Sequence, residues 1–301
     1  MNRRRLKEQK RFIFAAIAPS GILLLVFSYF SLGYCIYVSL LKWNMLSSAK
    51  YIGMKNYAQL FVNPSFWNSL RVTLVYSLVS VPSCIILGLF VGLILKYAKV
   101  WRSFFRVMFF IPVIISMVVA SLIWKWIFNP TQGILNYVLV HIGIFGGQEL
   151  NHWLKWYNDP NGGALAALLV VGIWKRIGYN GVIFLAGLLN IEQQYYEAAE
   201  IEGASSFKQF WHITFPLLSP TTFFVLTMEI ISALKVSVSP LVLTNGGPVE
   251  STNSLVLYIY KEAFENFRMG YASALAVIVF IFILIITVLQ MQTTEKKVFY
   301  K

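Results

Sequence analysis

Three carboxylates, Glu197, Glu200 and Glu202, stand close together in Tyr196-Glu197-Ala198-Ala199-Glu200-Ile201-Glu202-Gly203-Ala204-Ser205-Ser206, between two long apolar runs of an otherwise basic chain. The segment has the composition of a short, water-exposed helix. Gly203 then supplies a turn that a residue with a Cβ would resist, and an aromatic amphipathic tail of Phe207, Phe210 and Trp211 leads to Pro216. The chemistry open to such a knob is recognition. Ala198 and Ala199 let another backbone approach closely, and Glu197 is placed to pair with a basic residue of a partner. Composition alone also fits an ordinary acidic loop between spans.

Other chemistry-bearing residues are scattered. His141, His152 and His212 have no partner at metal-ligand spacing. No Ser/His/Asp or paired-carboxylate set projects from a common segment. A phosphate loop of the form G-x-x-x-x-G-K-[ST] is missing, so the chain does not hydrolyse ATP alone. Cys35 and Cys84 both fall in apolar runs and read as small core residues.

The elements that must position these residues follow from composition. Hydrophobic residues make up 58% of the 301 and charged residues 12%, with a mean hydropathy of +0.67. That leaves too little polar surface to cover a soluble globule. A helix needs about 20 apolar residues to cross roughly 30 Å of hydrocarbon. Six runs qualify: Phe12 to Leu41, Trp67 to Leu95, Phe104 to Phe128, Ala164 to Leu189, Phe215 to Thr244 and Tyr271 to Met291. They are too long and too uniformly apolar for the alternating strands of a β-barrel. The predicted fold is therefore all-α and integral to the membrane, with six transmembrane helices over residues 12–291. A basic tail at residues 1–11 and a short tail at 292–301 flank them. Pro112 marks a kink in the third span.

Lys and Arg outnumber Asp and Glu 25 to 12. With the N-terminus inside, Arg3, Arg4, Arg5, Lys7, Lys10, Arg11, Lys96, Lys99, Arg102, Arg106, Lys208, Lys296, Lys297 and Lys301 are cytoplasmic. Lys42, Lys50, Lys55, Lys155, Lys261 and Arg268 are external. The bias is fourteen to six and puts both termini in the cytoplasm. It accounts for the basic charge without nucleic acid. The first apolar run is far longer than a secretory signal core and reads as a retained span. External loops run from Trp43 to Phe66 and from Asn129 to Gly163, and a third holds Thr244-Asn245-Gly246-Gly247-Pro248. Ser254 to Ala263 reads as a re-entrant or surface helix.

The pattern Glu197-Ala198-Ala199, three residues, Gly203, then Ile213 and Pro216 resembles the cytoplasmic "EAA" loop of the permease subunits of ATP-binding-cassette importers. It occupies the right loop, about residues 190–214, between the fourth and fifth spans and on the side the charge rule makes cytoplasmic. Ser254 to Tyr260, Phe267 to Ala274, Tyr51 to Tyr57 with Asn63-Pro64, and Trp174-Lys175 to Asn180 look like the carbohydrate-type permeases, the maltose and glycerol-phosphate group. The resemblance covers almost the whole length. It implies the type I importer permease fold in a prokaryotic inner membrane, with no enzymatic activity of its own. It further implies a second homologous permease subunit and two copies of an ATPase that bind ATP and Mg. An extracellular solute-binding protein would deliver a sugar or oligosaccharide. Glu197, Ala198, Ala199, Glu200, Gly203 and Phe207 would couple to the ATPase.

Ionisable groups within spans are costly and therefore candidates for function. Lys175, Arg176, Glu229 and Lys235 lie deepest, whereas Arg71 and Lys125 are near enough to span ends to snorkel. Glu229 and Lys235 sit on different faces of one helix, so each must face another helix, a companion subunit or an aqueous cavity. With one deep carboxylate against three deep cations, the pathway is expected to favour a saccharide that carries a carboxylate. Trp174, Tyr179, Asn180, Glu229, Lys235 and Ser239 are the candidate pathway residues, with Tyr179 for stacking and Asn180 for hydroxyl hydrogen bonds. Glycerol phosphate or a peptide is the rival solute for the same machinery, and a stand-alone secondary transporter is the rival mechanism.

Overall fold

A computed structural model describes residues 3–98, 102–142, 155–295 and 298. His152 and the basic residues Lys99, Lys296, Lys297 and Lys301, on which part of the charge bias rests, lie outside that set. In chain order the helices begin with α1 (Arg3–Leu24), a π-helical stretch (Leu25–Phe30) and α2 (Ser31–Ser39). A two-stranded hairpin, β1 (Leu41–Lys42) and β2 (Lys50–Tyr51), precedes α3 (Lys55–Val62), α4 (Pro64–Tyr97), α5 (Arg102–Ile114), α6 (Met117–Ile127) and α7 (Ile134–His141). Next come α8 (Gly163–Leu189), α9 (Gln193–Ile201), α10 (Ser206–Gln209), α11 (Phe215–Leu217) and α12 (Ser219–Leu234). The last are α13 (Val238–Thr244), α14 (Leu255–Tyr260) and α15 (Met269–Thr294).

Among the described residues, four helical segments are long and apolar enough to cross a membrane unbroken, over Phe12–Ser39, Pro64–Tyr97, Gly163–Leu189 and Met269–Thr294. Two bent pairs complete six. The third run, expected as one kinked span, is α5 and α6 meeting at 103°. Pro112 has no N–H to extend the hydrogen-bond ladder, and Ser116 starts a new helix by accepting the Val119 N–H at 3.3 Å. The fifth bends by 63° between Ser206–Leu217 and Ser219–Leu234. There Pro220 lacks the N–H that would have bonded the Pro216 carbonyl. That span also ends earlier than expected, at Leu234, with Lys235 exposed at its cap. Pro240 instead falls in the first turn of the separate α13, where its missing N–H leaves no helical bond unmade.

The chain divides into two compact units. The larger, Pro64–Tyr258 with Ile281–Lys301, is organised by α4 against α8. Association of helices in lipid draws on close packing because the surrounding tails are as apolar as the side chains. Small residues provide it here. A Cβ on Gly88 would lie 2.6 Å from the Asn180 Cβ, and one on Gly92 would lie 2.9 Å from the Phe184 Cβ. A core of Tyr76, Val81, Phe128, Ala167, Leu168, Val171, Ala233 and Leu243 fills the space between α4, α8, α12 and α13. In the predicted Ser254–Ala263 helix, Leu255, Leu257, Tyr258, Glu262 and Ala263 are buried.

The smaller unit, Met1–Asn63 with Ile259–Phe280, joins the first span, the hairpin, α3 and the start of α15. Phe12–Ser39 presents an 18-residue apolar window of which nothing is buried, as suits a helix surrounded by an apolar medium.

Gly178 on α8 faces the Phe109 carbonyl of α5 so closely that a Cβ there would collide with it. Gly178→Ala is expected to cost about 1–3 kcal/mol and to lower the thermal midpoint of the detergent-purified chain. Gly21→Ala, with nothing within 4 Å, is expected to leave that midpoint unchanged or higher. Equal melting of the two variants would refute the packing account.

Candidate functional site

The acidic segment folds as a rigid knob. Helix α9 ends with Gly203 at φ +75°, where the Gly203 N–H bonds the Glu200 carbonyl at 3.0 Å and the Ala204 N–H bonds the Ala199 carbonyl at 2.8 Å. This pair of bonds closes the helix by the Schellman arrangement, in which a left-handed residue satisfies the last carbonyls. Gln209 Nε2 donates to the Ala204 carbonyl at 3.3 Å and ties the turn to α10. Tyr196, the one buried side chain of α9, shares a 2.9 Å hydrogen bond with Thr214 Oγ1. The Lys96 ammonium, in the last turn of α4, lies 4.8 Å from the centre of the Tyr196 ring. Tyr196 is thus the anchor, a role that sequence reasoning did not assign. Its aromatic ring directly before Glu197-Ala198-Ala199 was the available signal.

The other face of the knob is open. Glu197, Ala198 and Glu200 are exposed, Ala199 is half-buried, Ile201 is 89% exposed and Phe207 is 73% exposed. Large apolar side chains held outward on a fixed backbone and flanked by carboxylates are the make-up of a protein-docking surface. The predicted coupling residues therefore fall on α9, its turn and the start of α10, with Ile201 as an unpredicted addition.

The deep ionisable residues converge differently. Arg176 Nη1 on α8 meets Glu229 Oε2 on α12 at 2.8 Å, and Asn180 Nδ2, one turn on, donates to Glu229 Oε1 at 3.1 Å. Asn180 also donates to the Cys84 carbonyl of α4 at 3.4 Å. Asn180 is 2% exposed and Glu229 is 4% exposed, so both direct their polar atoms into the chain rather than towards a solute. Lys175 Nζ caps the broken end of α5, donating to the carbonyls of Pro112 (3.1 Å) and Ile115. Those carbonyls lie at the bend, where α5 has no further turn to satisfy them. Successive residues of α8 thus hold α5, α12 and α4.

The remaining pathway candidates are dispersed. Trp174 is half-buried edge-on against Trp124, with ring centres 5.6 Å apart. Tyr179 and Lys235 are exposed, and Ser239 is buried with no hydrogen-bond partner for its Oγ among the described residues.

Residues 84–296, from the middle of α4 to the end of the described chain, match the model of a family described as the binding-protein-dependent transport system inner membrane component. The chain belongs to this family. It is a permease component of an ABC importer, residing in the inner membrane. Relatives agree along the whole length. A probable ABC transporter permease protein of Bacillus subtilis (strain 168), YurN, is 34% identical over 275 residues, which are 90% of this chain and 92% of that protein. The sn-glycerol-3-phosphate transport system permease protein UgpA of Agrobacterium fabrum is 32% identical over 288 residues, 94% of each chain. A bacterial alginate ABC transporter, crystallised with an alginate pentasaccharide-bound periplasmic protein, has a chain of the same fold. Its TM-score is 0.82 at 22% identity, with 96% of both chains covered. In this inner-membrane component the Arg176–Glu229 pair belongs to the scaffold on which a pathway is built.

Removing one partner of a buried ion pair leaves the other charge uncompensated. Glu229→Leu is expected to destabilise the permease by about 3–5 kcal/mol. The double variant Arg176→Leu/Glu229→Leu is expected to recover more than half of that loss. Thermal melting of the purified chain and its monodisperse yield check both. A double variant that melts below Glu229→Leu would show that the pair is not the source of the effect.

Proposed function

We propose that this chain forms half of the translocation pathway of an ATP-driven importer for a sugar or oligosaccharide, and that it couples to an ATPase subunit through α9 and the turn at Gly203. The observation that carries the coupling role is the knob itself, with its locked backbone, exposed Ile201 and Phe207 and small Ala198. A movement of the ATPase is transmitted only if the part it pushes does not yield, and the Tyr196 anchor and the closed turn supply that stiffness. In this reading ATP and Mg are held by two copies of the partner ATPase. A second, homologous permease subunit completes the pathway, an extracellular solute-binding protein delivers the solute, and this chain carries out no catalysis. The knob and both termini then face the cytoplasm, in agreement with the distribution of Lys and Arg.

The sugar assignment draws on the relatives. UgpA serves sn-glycerol 3-phosphate, and the alginate importer carries an acidic polysaccharide. Both solutes are polyhydroxylated anions, which favours an acidic saccharide here. Glycerol phosphate, rather than a saccharide, is the second reading and rests on the 32% identity to UgpA. A stand-alone secondary transporter leaves the exposed face of α9 without a purpose.

Replacement of Gly203 by Val forces a branched side chain into left-handed backbone, and Phe207→Asp puts a charge on the apolar contact. Each is expected to lower ATP-dependent saccharide uptake by about tenfold or more, the scale of a lost interface anchor. The permease should still reach the membrane in normal amount. The check is co-purification of a phosphate-loop ATPase with the wild-type chain and its loss from the variants. Uptake indifferent to ATP, or variants that retain the ATPase and full uptake, would overturn the coupling role.

A further inference from the structure

A cavity of about 840 Å³ lies within the smaller unit, at the end of the first and last spans away from the chain termini, and takes no part in the site described above. It is of the size that holds a small organic ligand. Lys42, Lys50, Lys55 and Arg268 line it, and no Asp or Glu does. Arg268 is committed, pairing with Glu262 at 3.0 Å and lying over the Tyr271 ring at 4.2 Å. The three lysines have no carboxylate partner among the described residues.

Their arrangement is unfavourable without a ligand. The antiparallel register of β1 and β2 sets Lys42 directly opposite Lys50, and like charges opposed across a ladder repel. The lysine side chains are exposed, and the backbone that carries them is held in place. Asn44 Oδ1 accepts from Leu46 N, Ser47 N and Ser47 Oγ at 3.2, 2.9 and 2.7 Å, fixing the hairpin turn. Asn56 Nδ2 donates to the Ser39 and Leu41 carbonyls at 2.7 and 2.9 Å, and the Gly270 N–H bonds the Trp43 carbonyl at 3.2 Å. The floor is therefore set before any ligand arrives, which lowers the ordering cost of binding.

An oxyanion seated between Lys42 and Lys50 turns their repulsion into two charge-assisted hydrogen bonds. Trp43 offers a ring face, and Ser48 and Gln59 offer donors and acceptors for hydroxyls. We propose that this cavity binds the oxyanion of an acidic saccharide through Lys42, Lys50 and Lys55. The proposal deepens the transport reading given above and rests on it for the identity of the ligand. The shared chemistry, an oxyanion beside hydroxyls, is also that of a phosphatidylglycerol headgroup.

The test is calorimetric titration of the full-length permease in phosphatidylcholine nanodiscs with trigalacturonate, and with maltotriose as the neutral probe. Trigalacturonate is expected to bind at least about tenfold more tightly than maltotriose, and to weaken as salt rises from about 0.05 to 0.5 M. Lys42→Gln and Lys50→Gln should each lower its affinity by about tenfold, and Lys155→Gln should leave it unchanged. Neither cavity variant should melt below wild type, since each relieves a like-charge contact. Equal affinity for the two probes, or indifference to both cavity variants, would overturn the proposal. So would suppression of trigalacturonate binding in phosphatidylglycerol nanodiscs, which would make lipid the occupant. Intact ATP-dependent uptake of trigalacturonate by the assembled transporter carrying both Lys→Gln changes would remove the cavity from transport and leave the transport reading standing. Binding without any saccharide uptake would uphold the cavity and refute that reading.

Discussion

Arg176 and Glu229 are 53 residues apart on different helices, and the carboxylate, almost fully buried, is tolerable there because the guanidinium is 2.8 Å away and Asn180 donates to it as well. Hydrocarbon and packed side chains leave an unpaired ion with no favourable place. The pair therefore fixes where α8 and α12 meet. Asn180 extends the constraint to α4 by bonding both Glu229 and the Cys84 carbonyl. Lys175 extends it to α5 by capping the carbonyls left at the bend. Neighbouring side chains of one helix thus set the positions of three others, and the Gly88 and Gly92 contacts let α4 approach closely enough for those bonds to form.

The knob at the end of α8 depends on this frame. Its hydrogen-bonded turn makes it stiff, but stiffness transmits motion only when the knob is attached to something equally fixed. Tyr196 provides the attachment, bonded to Thr214 on one side and covered by Lys96 of α4 on the other. Tyr196 thereby connects the element that carries Ile201 to α4, the helix that packs along α8. The same side chain that looks like one more aromatic residue of a loop is the joint between the exposed surface and the spans.

The two broken spans follow a common logic. In each, proline removes a donor and the helix turns where neighbouring groups can satisfy the freed backbone. At the third span those groups are Ser116 and the Lys175 ammonium. At the fifth, Pro216 and Pro220 are four residues apart, so the second lacks the N–H that the first's carbonyl would have accepted. Bent spans place backbone polarity inside the protein, where side chains of neighbouring helices satisfy it.

Features whose cause is local can be read from the order of the residues. Apolar runs of bilayer length identified the crossing segments, and Gly203 after an acidic helix marked the left-handed turn. Glu197-Ala198-Ala199 marked a short helix with an exposed acidic face, and Pro112 located a break. Each of these rests on a few adjacent residues whose backbone preferences or burial needs do not depend on distant partners. The rest emerged from the packing of the folded chain. It chose Glu229 as the partner of Arg176 and assigned Asn180 to the scaffold. It turned a kink into a 103° bend, left Lys235 exposed at a helix end, and gathered the lysines of the first hairpin beside residues 267–271 in one cavity. Such outcomes are selected by packing between segments far apart in the chain. A charged or polar residue states in the sequence that it needs a partner, but not which helix will bring one.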